Sequence, residues 1–203
     1  MQLPDEVGIM VLPRIVFFPH SLIPLHIFEP RYRVMLQQAL AGQRMFALCQ
    51  AVPADYEQNR PIPAHTGGIG LIRACVQNKD GTSNLILQGI HRVHFPTFTR
   101  TQPYYTGRPI PVCSDGPLNL RQAKALAERV LKTVHDSPQY RERLPEELFN
   151  FLSSLQDYNT LVDVVAGSFI HCTQRKQRII ESNDVEQRLG ILADSLQAEQ
   201  SRP

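Results

Sequence analysis

The histidines and cysteines of this sequence could in principle bind a metal ion or act in catalysis, but they lack the spacing that this chemistry requires. His91 and His94 lie three residues apart in a predicted strand, so their side chains should face opposite sides of a sheet. His171 and Cys172 are adjacent, yet no HExxH motif or second ligand pair accompanies them. We therefore predict no metal site.

The glycines and lysines also lack the arrangement of phosphate-binding or nucleophilic sites. No Gly-Lys dipeptide occurs, so the GxxxxGK[ST] loop of P-loop ATPases is absent from the sequence. The glycines of residues 67–70 do not form a GxGxxG motif, because Arg73 holds its last position. Lys176 lies near Ser168 in the sequence, and a lysine can activate a serine nucleophile. We nevertheless expect Lys176 to be a surface residue of a helix. We predict no catalytic residue and no bound cofactor.

The residues most suited to contact a partner are Phe28, Glu29, Arg31 and Arg33, where a predicted strand turns into a helix. An aromatic ring, a carboxylate and two guanidinium groups at such a junction could grip a partner. The same residues could instead pack the strand on the helix and form surface ion pairs. Arg92 allows the same two interpretations. These five residues are our candidates for contact with a partner.

Size and composition indicate an ordinary globular protein. The chain has 203 residues, 42% of them hydrophobic and 20% charged, and its net charge of +2 is too small to indicate a general polyanion partner. Its four cysteines contain no CxxC pair, so we expect them to be reduced. The N-terminus lacks signal-peptide architecture, and no apolar run reaches the ~20 residues of a membrane helix. We predict a cytoplasmic protein; the sequence indicates no oligomeric state.

The first half of the chain has the pattern of a β-rich lobe. Short runs of Val, Ile, Phe and Leu predict strands over residues 8–12, 22–27, 45–51, 68–77, 84–88, 92–98 and 105–112. Asp80 and Gly81 predict a tight turn that pairs the strands on either side. Helical spacing predicts a helix over residues 30–41, with Gly42 as its stop. The short connections favour a mostly antiparallel, curled sheet or partial barrel.

The second half has helical spacing; we place the boundary between the lobes near residues 115–118, with residues 114–117 as the expected hinge. Helices are predicted over residues 120–134, 146–155, 159–171, 174–181 and 184–197. In the last of these, leucines and valine recur at i, i+4, i+7 and i+11, and Asn183 could cap the N-terminus with Glu186 at the reciprocal position. We predict an α+β fold in which a C-terminal helical bundle follows the sheet.

Three motifs in the first half resemble the Lon substrate-binding family: Val11-Leu12-Pro13, Val16-Phe17-Phe18-Pro19-His20, and Leu25-His26-Ile27-Phe28-Glu29-Pro30-Arg31-Tyr32-Arg33. The hairpin of residues 86–92 and the segment of residues 184–189 also look like that family. The glycine-rich stretch of residues 65–70 departs from its pattern. The resemblance implies a PUA-like β lobe over residues 1–116 and a helical lobe over residues 117–203, which together form one substrate-binding domain.

The resemblance also implies a function without catalysis. In full-length Lon proteases this module helps to capture substrate polypeptides, so we expect recognition of flexible or unfolded polypeptide, in quality control or as an adaptor. The alternative is RNA or small-ligand binding by the PUA-like lobe. Nucleic acid is disfavoured by the near-neutral charge, although a folded cluster of Arg92, Arg100 and Arg108 would support it. An uncharacterised enzyme would need a pocket of converging polar residues.

Overall fold

The computed structural model describes residues 2–52, 61–113, 116–142 and 144–200. Two compact units make up the chain, Met1–Val112 and Cys113–Pro203. The hinge expected at residues 114–117 begins just after this boundary, but residues 114 and 115 lie outside the described part. The exact division at residue 116 stays a prediction.

The first unit is a mixed β-sheet with one helix. Its elements are β1 (Val7–Leu12), β2 (Leu22–Ile27), α1 (Pro30–Ala41), β3 (Met45–Val52), β4 (Ile62–Pro63), β5 (Thr66–Gln77), β6 (Ser83–His94), β7 (Phe98–Arg100), β8 (Tyr105–Gly107) and β9 (Ile110–Pro111). The sheet order is β2-β6-β5-β3-β1-β8-β7, and it does not close into a barrel. Strands β1 and β3 are parallel, whereas the other pairs are antiparallel. The predicted curled, mostly antiparallel sheet is confirmed.

Two of the predicted strand boundaries are wrong. Residues 84–88 and 92–98 were expected as separate strands, but β6 continues through Gly89 to His94. Residues 105–112 were expected as one strand, but they divide into β8 and β9. The Asp80-Gly81 turn is confirmed: Gly81 has φ 79°, and Gln77 pairs with Ser83. Gly89 does not end a strand; it lies where another part of the backbone passes very close to β6.

That close passage is made by the connection between β1 and β2. A Cβ atom built on Gly68 would lie 2.1 Å from the carbonyl oxygen of Phe17, and one built on Gly89 would lie 2.1 Å from that of Phe18. After the crossing, the His20 amide donates to the Gly89 carbonyl oxygen at 2.9 Å. Glycine is required at both positions because no side chain fits between two backbones at this distance. The glycine-rich departure in residues 65–70 therefore has a structural cause.

The second unit consists of helices α2 (Leu120–Asp136), α3 (Pro138–Arg141), α4 (Glu146–Ser154), α5 (Tyr158–Phe169), α6 (Thr173–Glu181) and α7 (Val185–Gln200). The predicted apolar stripe of α7 is buried. The predicted cap was wrong: Asp184, not Asn183, accepts a hydrogen bond from the Gln187 amide at 2.6 Å. With the cap one residue later, Glu186 misses the reciprocal position and instead accepts from the Asn119 amide at 2.7 Å.

A buried ion pair holds three of these helices together. Arg188 of α7 is fully buried and donates to the Asp163 carboxylate of α5. It also donates to the Asn159 side chain at 2.7 Å and to the carbonyl oxygen of Ile179 in α6 at 3.1 Å. A charged group can be buried in this way only when its donors find such partners. Within the described residues, no helix is both long and apolar enough to cross a membrane.

Replacing Gly68 by alanine should destabilise the first unit by at least about 2 kcal/mol, because the new methyl group would collide with the backbone of Phe17. Urea unfolding followed by circular dichroism would measure this change. The matched control is Gly190→Ala in α7, where a Cβ atom meets nothing within 4 Å. That variant should be stabilised by about 0.5–1 kcal/mol, since alanine favours a helix more than glycine does. Equal stability of both variants and wild type would contradict the described crossing.

The cysteines offer a second check on the fold. Complete burial of the Cys49 thiol raises its pKa to about 12, whereas Cys113 is exposed. Since the thiolate is the reactive species, Cys113 should be alkylated in the native protein and Cys49 only after unfolding. Raising the pH from about 7 to about 9 should leave Cys49 unlabelled in the native protein, because its buried thiol stays protonated over that range. Mass spectrometry of iodoacetamide-treated protein, with a urea-unfolded sample as control, would locate the labels; native labelling of Cys49 would count against the structure.

Candidate functional site

The strands β2, β6 and β5 form one end of the sheet, and the alternation of their side chains produces two faces. Residues such as Ile27, Leu85 and Leu87 belong to the core. The alternate residues point the other way and form what we call the outer face: Leu22, Pro24, His26 and Phe28 from β2 and the residue following it, Ala74 and Val76 from β5, and Asn84 and Ile86 from β6.

The strand register brings these side chains into rows across the sheet. Pro24 lies opposite Ile86, which lies opposite Ala74. His26 lies opposite Asn84, which lies opposite Val76. A shallow cavity of about 430 Å³ is lined by these two rows. Neighbouring side chains on one face of a sheet are in contact range, so the apolar members form a continuous surface.

The outer face is unusually exposed for an apolar surface. Leu22 and Val76 each expose 65% of their surface, and Phe28 exposes 60%. The His26 ring stacks near Phe28, with ring centroids 6.0 Å apart, and its Nδ1 lies 2.8 Å from the Asn84 side-chain oxygen. Clustered exposed apolar residues mark interaction sites more often than isolated ones do. Phe28, one of the candidates from the sequence, lies at one end of the outer face, next to His26.

Glu29 and Arg31, two further candidates from the sequence, bind each other. The Arg31 guanidinium contacts the Glu29 carboxylate at 2.7 Å, and its Nε donates to the same oxygen at 2.8 Å. The guanidinium carbon also lies 4.5 Å above the ring of Tyr32. These contacts correspond to the packing and ion-pair interpretation of the two residues.

Tyr32 connects α1 to the first strand. Its hydroxyl donates to the carbonyl oxygen of Val11 at 3.2 Å and accepts from the Val11 amide at 3.1 Å. Both backbone groups of one strand residue are thus satisfied by a single buried side chain. Burial raises the pKa of Tyr32, so the hydroxyl remains a donor over the physiological pH range. The two motifs that contain Val11 and Tyr32 are joined by these hydrogen bonds.

The other two candidates lie away from the outer face. Arg33 packs its guanidinium on Gly81, where an added Cβ atom would meet its Nη2 at 1.9 Å. Arg92 is buried, with 4% of its surface exposed, so it is not available to grip a partner at the surface. Its burial also removes it from the exposed cluster with Arg100 and Arg108 that would have supported RNA binding.

A second, polar cavity of about 350 Å³ lies between the N-terminal segment, α1 and β8. Glu6 accepts a hydrogen bond from the Thr106 hydroxyl at 2.6 Å, and the bonds from Thr106 and Thr99 lower the pKa of its carboxyl. Arg100 lies 5.7 Å from the ring centroid of Tyr104 in the same wall. Because its polar groups largely satisfy one another, this cavity offers a ligand fewer free partners than its size would allow.

The residues that could do metal or nucleophilic chemistry are dispersed. Across the described ranges, no three His, Cys, Asp or Glu side chains come together as a metal site would require. His94 interacts with the Thr66 hydroxyl at 3.1 Å, while His91 lies on the exposed surface. Lys176 was expected on the surface, but it is half-buried and donates to the carbonyl oxygen of Gly167 at 3.1 Å. That burial lowers the pKa of Lys176.

The outer-face residues of β5 and β6 were not singled out from the sequence. A signal for them does exist: Ala74, Val76 and Ile86 alternate with core residues in strands that are apolar on both faces. Such a pattern is typical of a sheet covered on both sides. Only the structure shows that the described part of the chain leaves one side of these strands uncovered.

The fold is thus an α+β arrangement of an open, curled sheet and a helical unit, and comparison with known proteins identifies its family. The sequence model of the ATP-dependent protease La (LON) substrate-binding domain matches residues 6–198. The chain therefore belongs to the Lon substrate-binding domain family, as its motifs predicted. Membership in this family supports a role in substrate recognition.

Individual relatives agree with this assignment. The Lon protease of Desulfosudis oleivorans is 26% identical over 192 residues, which cover 93% of this chain and 23% of that protein. The N-terminal domain of the Mycobacterium avium complex Lon protease has the same fold, with a TM-score of 0.73, 18% identity, and coverage of 95% of this chain and 98% of that domain. The Lon N-terminal domain protein from Xanthomonas campestris gives a TM-score of 0.64 at 19% identity, with coverage of 98% of this chain and 99% of that protein. The chain spans about a quarter of the length of the curated relative.

Replacing Tyr32 by phenylalanine should lower the free energy of unfolding by about 1–3 kcal/mol, because the Val11 amide and carbonyl would lose their buried partner. Thermal and urea unfolding would measure the loss. Tyr105→Phe is the control: Tyr105 is also buried in the first unit, but its hydroxyl makes no hydrogen bond to the described residues. If the two variants lost the same stability, the link between α1 and β1 would not be important.

Proposed function

We propose that this protein recognises flexible or unfolded polypeptide segments without catalysis, and that the outer face is the binding surface. The observation that carries the proposal is the exposure of apolar side chains on the outer face: Leu22, Phe28 and Val76 are mostly exposed there, beside Pro24, Ala74 and Ile86. Apolar side chains of an unfolded chain would be removed from water on contact with this surface, which is favourable in proportion to the area buried.

Side-chain contact is the favoured mode of binding at this surface. The outermost strand is β2, and an extended peptide could in principle add to its free edge. However, Pro24 lies in the middle of β2 and has no amide hydrogen to donate. Proline in a sheet is confined to positions whose amide would point away from the neighbouring strand, so Pro24 removes a donor from the edge itself.

Family membership supports the substrate class. The matched domain is described as the substrate-binding part of an ATP-dependent protease, and polypeptides are the substrates of proteases. The proteolytic activity of the full-length relatives is not part of this proposal, because the match covers about a quarter of their length. An adaptor or quality-control role in the cytoplasm remains the most economical setting for such binding.

The affinity should be modest. The cavity on the outer face is shallow, and the bound segment must give up much of its conformational freedom. Weak binding of this kind suits a surface that accepts many sequences, since apolar contact depends little on the order of residues.

Replacing Val76 or Leu22 by serine should weaken the binding of a reduced, carboxymethylated protein about fivefold in each case, because part of the apolar contact is lost. Both residues are mostly exposed, so the stability of the fold should change by less than about 0.5 kcal/mol. Fluorescence anisotropy of the labelled unfolded protein, titrated to high micromolar concentration, would measure the affinity.

Leu118→Ser is the matched control, since Leu118 is 90% exposed but belongs to the second unit. Its affinity should equal that of the wild type. Absence of binding by the wild type at high micromolar concentration, under conditions where a Lon N-terminal domain binds, would overturn the proposal. Equal losses in the control and in the outer-face variants would refute the assignment of the surface.

A further inference from the structure

A basic groove lies between α1 and the β5–β6 hairpin, separate from the outer face. Its volume is about 280 Å³. Leu36, Leu40 and Cys75 provide apolar wall, and Arg33 and Arg44 bring two guanidinium groups to it. None of the described residues that line this groove is acidic. Two cations beside an apolar wall without a carboxylate of the protein's own form an anion-binding arrangement.

The Arg33 guanidinium packs against the hairpin turn, and its hydrogen-bond donors are the point of interest. Its guanidinium rests on the backbone of Gly81 in the hairpin turn, and it forms no hydrogen bond or ion pair with the residues that the structure describes. The adjacent acid, Asp80, directs its carboxylate to Thr82, accepting from the amide at 2.9 Å and from the hydroxyl at 2.7 Å. The donors of Arg33 are therefore free to bind an anion from outside.

Arg44 reaches the same groove from the other side. Its φ is 60°, a left-handed conformation that glycine adopts without cost and other residues adopt rarely. The backbone there is fixed by two hydrogen bonds of 2.8 Å, from the Arg44 amide to Ala39 and from the Ile72 amide to the Arg44 carbonyl oxygen. Its Nε donates to the Ile72 carbonyl oxygen at 3.3 Å. This bond fixes the direction of the guanidinium and leaves its two terminal nitrogens for a ligand.

The size of the groove limits the ligand. Pockets for drug-sized molecules span ~300–1,000 Å³, so this one suits a group of about one residue. The apolar wall would contact an aliphatic side chain, and the guanidinium groups would bind a planar anion with two oxygens, which is the geometry of a carboxylate. A bare inorganic anion would leave the apolar wall unused.

We infer that the groove formed by Arg33, Arg44 and Leu36 binds a carboxylate carried next to an aliphatic side chain, as found in a polypeptide. This inference deepens the proposed function, on which it rests for the substrate class. The carboxylate could be the C-terminus of the polypeptide or an acidic side chain within it, and both present the same chemistry.

The experiment is a titration of the ¹⁵N-labelled full chain, followed by NMR, with small ligands that do not require the outer face. N-acetyl-leucine tests a C-terminal carboxylate, and acetyl-Leu-Glu-amide tests a side-chain carboxylate. Their neutral counterparts are N-acetyl-leucinamide and acetyl-Leu-Gln-amide. At least one acid should shift the amide signals of Gly81 and Arg44 and bind about tenfold more tightly than its counterpart.

Arg33→Gln and Arg44→Gln should each reduce the affinity for that acid to near that of its neutral counterpart. Arg73→Gln is the matched control. Arg73 is an arginine of β5 that does not line the groove, and it donates to Gln88 instead. Unchanged ¹⁵N spectra outside the groove would confirm that each variant is folded, and a variant that failed this check would be replaced by the corresponding methionine variant, which also lacks the charge.

Equal binding of the acids and their neutral counterparts would overturn the inference, as would equally tight binding of inorganic phosphate or full affinity in both arginine variants. The two proposals can fail separately. If Val76→Ser loses affinity for unfolded protein and the wild type shows no preference for acids, only the proposal for the outer face survives. A preference for acids in a protein that binds no unfolded polypeptide would leave only the groove.

Discussion

The close approach between the β1–β2 connection and the glycines of β5 and β6 determines the shape of the first unit. Because the backbone of Phe17 and Phe18 lies directly against Gly68 and Gly89, the chain can cross two strands and return as β2 beside β6. This crossing makes β2 the edge of the sheet. The outer face of β2, β6 and β5 has no covering helix or loop among the described residues, so its apolar side chains are exposed.

Structural and binding roles are divided between different residues of the first unit. The motifs that identify the family act mainly in the fold: Tyr32 completes the hydrogen bonding of Val11, and Arg31 binds Glu29 while covering the Tyr32 ring. Of the outer-face residues, His26 and Phe28 lie within one of these motifs, whereas Leu22, Pro24 and the outer-face residues of β5 and β6 lie outside the three motifs. A surface of this type can change its side chains without loss of the scaffold, since exposed positions contribute little to stability.

Much of the fold could be predicted from the sequence, because hydrophobic periodicity and turn residues are local signals. The helix of residues 30–41, the hairpin turn at Gly81 and the helical second half are examples. The continuation of β6 through Gly89 could not be predicted, since the cause is a backbone that approaches from 70 residues away in the sequence. The burial of Arg92 and the exposure of Val76 were missed for a related reason: the alternation of a strand defines two faces but not which one is covered.

Pro24 affects how this protein can behave at high concentration. An exposed, apolar edge strand is normally a template on which other copies of a chain can grow an intermolecular sheet. A proline in the edge strand interrupts the row of donors that such growth needs. Pro24 therefore disfavours association of chains through the β2 edge, even though the described residues leave the apolar outer face beside it uncovered.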